Sequence, residues 1–324
     1  MRFAPSLLLS LFVLLLVGCE AQPRSFDENK LGEEAVLRAR ASDFWEVSRL
    51  RTIGRADVKR VAITEFNIAF VTYKSEGGLP QQAAVTNPIP TGFIGLGFNS
   101  VGLDRRAINY DAERAQAFTD LMYQALVDLL EERGVEVVPM DKVTASESYA
   151  RFSGRTAVEN VGAMFFNPFG TDVGRRLAKR TQAATGLMMI QDSTLPTIPL
   201  NEFELIREIG VDASIRCTFY VGLFRGRATI EEESTISFAG EKVLANLVSK
   251  RSVLSDAEVV TGSDFFPGRG SAVVVDADAF LAAQKRMFEP YVMMAVYRLQ
   301  SELGVVLGDE DPTTQPTVVT PAEE

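Results

Sequence analysis

The residues able to do chemistry in this chain are few. It holds two cysteines, Cys19 and Cys217, and no histidine among 324 residues. Without histidine there is no Ser-His or Cys-His nucleophile pair, no imidazole base near neutral pH and no imidazole ligand for zinc. Acid–base work would fall to carboxylates, lysine or tyrosine. Carboxylates gather in Glu231-Glu232-Glu233 and in the pair Asp276 and Asp278. Adjacent residues of a strand point to opposite faces, so only Glu231 and Glu233 could converge, and a solvated strand face is the expectation for them. Asp276 and Asp278 open an apolar-periodic stretch, where capping and the helix dipole account for them, with Asp278 as the expected cap. Arg175, Arg176, Lys179 and Arg180 form a basic patch. On a helix Arg176, Lys179 and Arg180 share a face, which either pairs with local acids or takes an anionic partner. Gly92-Phe93-Ile94-Gly95-Leu96-Gly97 is the nearest approach to a phosphate-binding loop, but the third glycine falls at Gly102 and no strand–loop–helix context surrounds it. No catalytic dyad, metal site or cofactor site is expected.

The flanks of Cys19 give that thiol its reading. Arg2, an apolar run from Leu7 to Val17 and the small Gly18 have the order of a secretory signal. Glu20 ends the run well short of the roughly 20 apolar residues a spanning helix needs. Leu16-Val17-Gly18-Cys19 resembles the lipobox of bacterial lipoproteins. That resemblance implies cleavage between Gly18 and Cys19, a diacylglycerol on the Cys19 sulfur and acylation of the freed amine. Buried acyl carbon contributes about 0.8 kcal/mol per CH₂, and stable anchoring takes two membrane signals, which two or three chains would supply. Glu20 stands where Asp resembles an inner-membrane retention signal, so the resemblance implies the outer membrane, facing the periplasm. With Cys19 a thioether, Cys217 has no partner within the chain. It is either a small buried hydrophobe in an alternating strand or a thiol free to react or pair with another molecule.

Nearly half the residues are apolar, enough for a sizeable core, and the net charge of −10 disfavours nucleic acid and anionic lipid as partners. A polar tether is expected over residues 19–31, then a short amphipathic helix over 32–51, with Trp45 packed in the core or anchoring an interface. Residues 58–73 read as a buried strand with a bulge near Glu65, where alternation slips. Residues 111–133 are the clearest helix, capped by Asp111 and ended by Gly134, and a short strand follows over 135–138. Residues 171–184 read as a helix and 187–190 as an inner strand. Alternation predicts a hairpin over 212–238 turning at Arg225-Gly226. Residues 241–249 fit either a helix or a strand. A helix from Asp278 to about Leu303, kinked at Glu289-Pro290, precedes an acidic tail over 309–324 that is expected to be disordered.

Between the strand and the clear helix lies a long connection, residues 74–106, rich in glycine and proline yet apolar through Phe93, Ile94, Leu96 and Phe98. A second apolar stretch carries Phe165, Phe166 and Phe169. Either both fold back over the core, or they form a contact surface for a partner.

Val61-Ala62-Ile63-Thr64-Glu65-Phe66, the long helix with Phe118 and Leu121, the strand at 135–138, and Gly210-Val211-Asp212-Ala213 leading into a hairpin resemble, in order, the curli-assembly lipoprotein superfamily. The resemblance covers roughly residues 58–238 and implies a periplasmic α/β domain, in some members one that assembles into rings and inserts hairpins as a secretion pore. This chain departs from it in the long connection and in lacking paired ten-residue alternating segments of the kind that cross a bilayer.

The expectation is an α+β domain over residues 32–308, a mixed or antiparallel sheet packed by a few long helices behind a lipid-anchored N-terminus. Its expected function is protein binding or self-assembly in the cell envelope rather than catalysis. The alternatives are a ring-forming export component, and a small-ligand binder or carboxylate-based enzyme with a cleft near residues 212–233.

Overall fold

A computed structural model describes residues 24–25, 33–52, 56–74, 112–161, 176–190, 200–224, 226–266 and 270–308. The signal segment, Cys19, Phe93, Ile94, Leu96, Phe98, Phe165, Phe166, Phe169, Asp111 and the acidic tail lie outside these residues. The fold is α+β, a mixed eleven-stranded sheet with helices against it.

Two long parallel strands form its centre, β4 (Arg60–Lys74) and β10 (Ala213–Phe224). The run of β-branched and aromatic residues from Val61 to Val71 is buried on both faces, as expected of a central strand. Asp212 ties the two starts together, its Oδ2 accepting the amides of Lys59 and Arg60 at 2.9 Å each. Where Ile63 faces Ile215 and Glu65 faces Arg216, Thr64 is the extra residue of a bulge, as the slipping alternation predicts. The bulge keeps Ile63 and Phe66 on one face and turns Glu65 to the other.

Beyond β4 lie β5 (Glu136–Val137) at one end and β8 (Arg176–Ala183) with β7 (Ala157–Val161) at the other. Beyond β10 the sheet divides. Its first half pairs with β12 (Thr235–Ala239), which is followed by β13 (Val243–Ser249) and β2 (Trp45–Thr52). Its second half pairs with β11 (Arg227–Ile230), β14 (Val253–Glu258) and the two residues of β1 (Arg24–Ser25). The hairpin thus returns in two pieces around a turn at residues 231–234, with Gly226 at φ 82° closing its tip.

Several expectations are corrected. Residues 176–183 are strand β8, not helix, because the antiparallel edge of β4 is available to them and sheet pairing overrides local propensity. The basic residues there share no helix face. Helix α1 (Glu34–Phe44) stops before Trp45, which is fully buried and begins β2 rather than continuing a helix to 51. The tether is interrupted by β1. Of residues 187–190 only Met189–Ile190 is strand, and residues 243–249 take the strand alternative.

Two long helices cover one face: α2 (Ala112–Glu132) and α6 (Ala277–Leu303). The cap of α6 is Asp276 rather than Asp278, its Oδ1 accepting from Asp278 N and Ala279 N at 3.0 Å. The helix runs through Pro290 as one element and ends at Gly304, whose φ of 62° suits glycine. Against this face Phe219 meets Phe288 edge-on at 4.9 Å and Phe66 at 5.8 Å, and Phe70 meets Phe118 at 5.6 Å. Trp45 Nε1 donates to the Tyr291 carbonyl at 3.1 Å, which places the lone tryptophan in the core.

Candidate functional site

The opposite face of the β4–β10 pair is polar. Alternation along β10 sends Ile215, Cys217 and Phe219 toward the long helices and Ser214, Arg216 and Thr218 the other way. The short helix α5 (Leu200–Ile209) lies over that polar face and inserts Glu202 into it. Arg216 is the hub. Its Nε and Nη2 donate to Glu65 Oε2 at 2.8 and 2.5 Å. Glu65 Oε1 accepts from Asn67 Nδ2 at 2.7 Å and from the Ile190 amide at 3.2 Å. Glu202 Oε1 accepts from Ser214 Oγ at 2.6 Å and Thr64 Oγ1 at 3.3 Å, whereas its Oε2 stands 3.7 Å from Arg216 Nη1. Among the described residues, Glu202 Oε2 and Asn67 Oδ1 are buried without a hydrogen-bond partner.

Burial pushes the Glu202 carboxyl above the ordinary carboxylate range, against the opposing pull of the Arg216 guanidinium. Burial also pushes the nearby Tyr149 phenol up to about 12. Both carboxylates are enclosed, with Glu202 1% exposed, so the cluster fastens α5 to the sheet rather than presenting a free carboxyl to solvent.

The carboxylates singled out in the sequence fare differently. Glu231 is fully buried in the turn between β11 and β12, not on a solvated strand face. Its Oε1 accepts from Thr229 Oγ1 at 2.6 Å and its Oε2 from Ser252 Oγ at 3.1 Å. Glu233 is exposed at φ 64°, so the two do not converge. Asp212 and Glu231 lie toward opposite ends of β10, since the Glu231 amide bonds the Tyr220 carbonyl. A cleft of about 260 Å³ opens near Asp212, with Asp57, Arg207, Glu241 and Lys242 on its rim and Val58, Ile206 and Val243 in its lining. Cys217 is buried, and desolvation raises its thiol pKa, as expected for the hydrophobe reading. Among the described residues no group of acids and cysteines is placed to hold a metal, and no helix is long and apolar enough to cross a membrane.

Nothing in the sequence singles out Glu202, and the alternation over 212–238 marks Arg216 only as a polar position in a strand. The one local signal was Glu65 and Asn67 interrupting an apolar run. No protein-family profile, curated protein or solved structure matches this chain.

Proposed function

We propose that this chain is a lipid-anchored envelope protein, held at the outer membrane through Cys19 and facing the periplasm, that binds a protein partner or further copies of itself. Two apolar stretches of the sequence supply the contact surface, one with Phe93, Ile94, Leu96 and Phe98, the other with Phe165, Phe166 and Phe169. The observation that carries this reading is the placement of the described residues that flank the two stretches. β4 ends at Lys74, opposite Arg176 at the start of β8, and β7 ends at Val161, opposite Ala178. After residue 111 the described chain resumes with α2, whose Phe118 packs on Phe70 and whose Tyr123 packs on Phe66, so α2 runs back along β4 from the same end. Antiparallel neighbours lie only about 4.8 Å apart. Both connections are therefore rooted side by side at one end of one sheet, which supports a joint surface. The anchor raises the local concentration of such a surface, which strengthens weak, repeated contacts. The order of β4, α2, β5 and β10 supports placing the chain near the curli-assembly lipoproteins, and a ring-forming export component is the narrower form of the same reading.

Serine at Phe93, Phe98, Phe165 and Phe166 in the full-length, membrane-extracted protein is the test. The expected result is loss of envelope cross-links and of any oligomer in sedimentation, with an unchanged circular-dichroism spectrum. A monomer with no cross-links before substitution, or complexes that survive it, would contradict the reading. Sedimentation size separates a large ring from a small complex.

A further inference from the structure

Glu202 lies in a place where an ionised carboxylate is poorly served. Arg216 spends Nε and Nη2 on Glu65, and its remaining Nη1, 3.7 Å from Glu202 Oε2, is beyond hydrogen-bond range. Two buried carboxyl groups thus face one guanidinium. Among the described residues, the hydroxyls of Ser214 and Thr64 donate to Glu202 Oε1, and each has a second acceptor within reach: the Ala239 carbonyl at 3.3 Å from Ser214 Oγ, and the Ile215 carbonyl at 3.4 Å from Thr64 Oγ1. A hydroxyl with a backbone carbonyl behind it can accept from a carboxylic acid as readily as it donates to a carboxylate. The neutral acid also leaves Oε2 as a carbonyl-type oxygen, the group most often tolerated without a partner.

We propose that Glu202 is a proton-holding latch. As the neutral acid it donates from Oε1 to Ser214 Oγ, which donates onward to the Ala239 carbonyl, and loss of that proton to solvent releases α5 from the sheet. The ionisable groups that face it are Glu65 on β4 and Arg216 on β10, with Tyr149 behind Glu65. Helix α5 in turn holds a second, shorter helix, α4 (Glu147–Ala150): Glu208 accepts the amides of Glu147 and Ser148 at 2.8 and 3.0 Å, and Glu204 pairs with Arg151 at 2.8 Å. Release of α5 therefore removes these holds on α4, which keeps its Tyr149 in the core, and opens the wall of the cleft to which Ile206 and Arg207 contribute.

The sign follows from linkage. A carboxyl that binds its proton more tightly when docked than when released stabilises docking below the ordinary carboxylate value, and that stability is lost as pH rises toward the docked value. Over that interval one proton's linkage changes the opening constant about tenfold per pH unit. Hydrogen exchange of the amides of residues 203–209 in the full chain, corrected for intrinsic rates, should show this slope in the wild type and lose it in Glu202→Gln, which keeps a donor for Ser214 without a titrating proton. If that variant does not fold, carbon-13 glutamate labelling of the wild type reads the same claim: one carboxyl titrates well above the rest. Equal slopes in wild type and variant, or no high-titrating glutamate, would overturn the latch.

Discussion

The two faces of the β4–β10 pair solve the same problem by different means. On one, Phe66, Phe219 and Phe288 exclude water by packing, and each ring contributes through area and shape. On the other, Glu65 and Arg216 form an ion pair largely withdrawn from solvent and depend on each other, with the Glu202 carboxyl enclosed beside them. Packing energy is spread over many contacts and survives adjustment. A paired-charge cluster is conditional, because removing one member strands the others in a poorly solvating place. The aromatic face therefore supplies stability, and the polar face supplies sensitivity, to substitution and to pH.

The largest expected effects set the faces against each other. Phe219→Ala should cost about 3–5 kcal/mol, read as a lowered urea midpoint, because its cavity sits among rings that cannot all collapse. Arg216→Met should cost a similar amount, about 3–5 kcal/mol, by leaving Glu65 buried and unpaired. The difference appears in the double variants. Adding Glu65→Leu to Arg216→Met should restore stability to near the wild type or above it, as apolar replacement of buried ion pairs does elsewhere. Adding Phe288→Ala to Phe219→Ala should destabilise further. A Glu65→Leu/Arg216→Met protein no more stable than Arg216→Met alone would erase the distinction.

The smallest effect concerns the outer side of α5. Hydrogen bonds from Ser148 and the amide of Glu147 hold the Glu208 carboxyl below the ordinary range. Its contribution is present above the ordinary carboxylate value and lost as pH falls through the lowered one. Glu208→Gln should therefore flatten the acid limb of an unfolding curve and leave the alkaline limb alone, opposite to the expectation for Glu202→Gln. A variant that changes the alkaline limb instead would show that α5 is not held as described.

What the sequence revealed follows from how local each signal was. The bulge near Glu65, the helix over 112–132 with its stop at Gly134 and the alternation of β10 are written in short-range periodicity and in single residues with special backbone needs. Strand β8 was misread because its partner lies more than about a hundred residues away in β4, and Arg176–Ala183 has no strong alternation of its own. Glu231 was misread because a triplet of glutamates looks solvated. Its hydroxyl donors, Thr229 in β11 and Ser252 just before β14, become visible only once β11 and β14 pair. Glu202 gave no local sign, since one acid on an amphipathic helix faces either way until the helix is docked.

The central claim is that a folded binding body works while tied to a bilayer at Cys19, and mass spectrometry of protein purified from its native membranes tests it most directly. The predicted result is an amino-terminal peptide that begins at Cys19 and carries two or three acyl chains. An unmodified amino terminus, or a chain still beginning at Met1, would contradict the account.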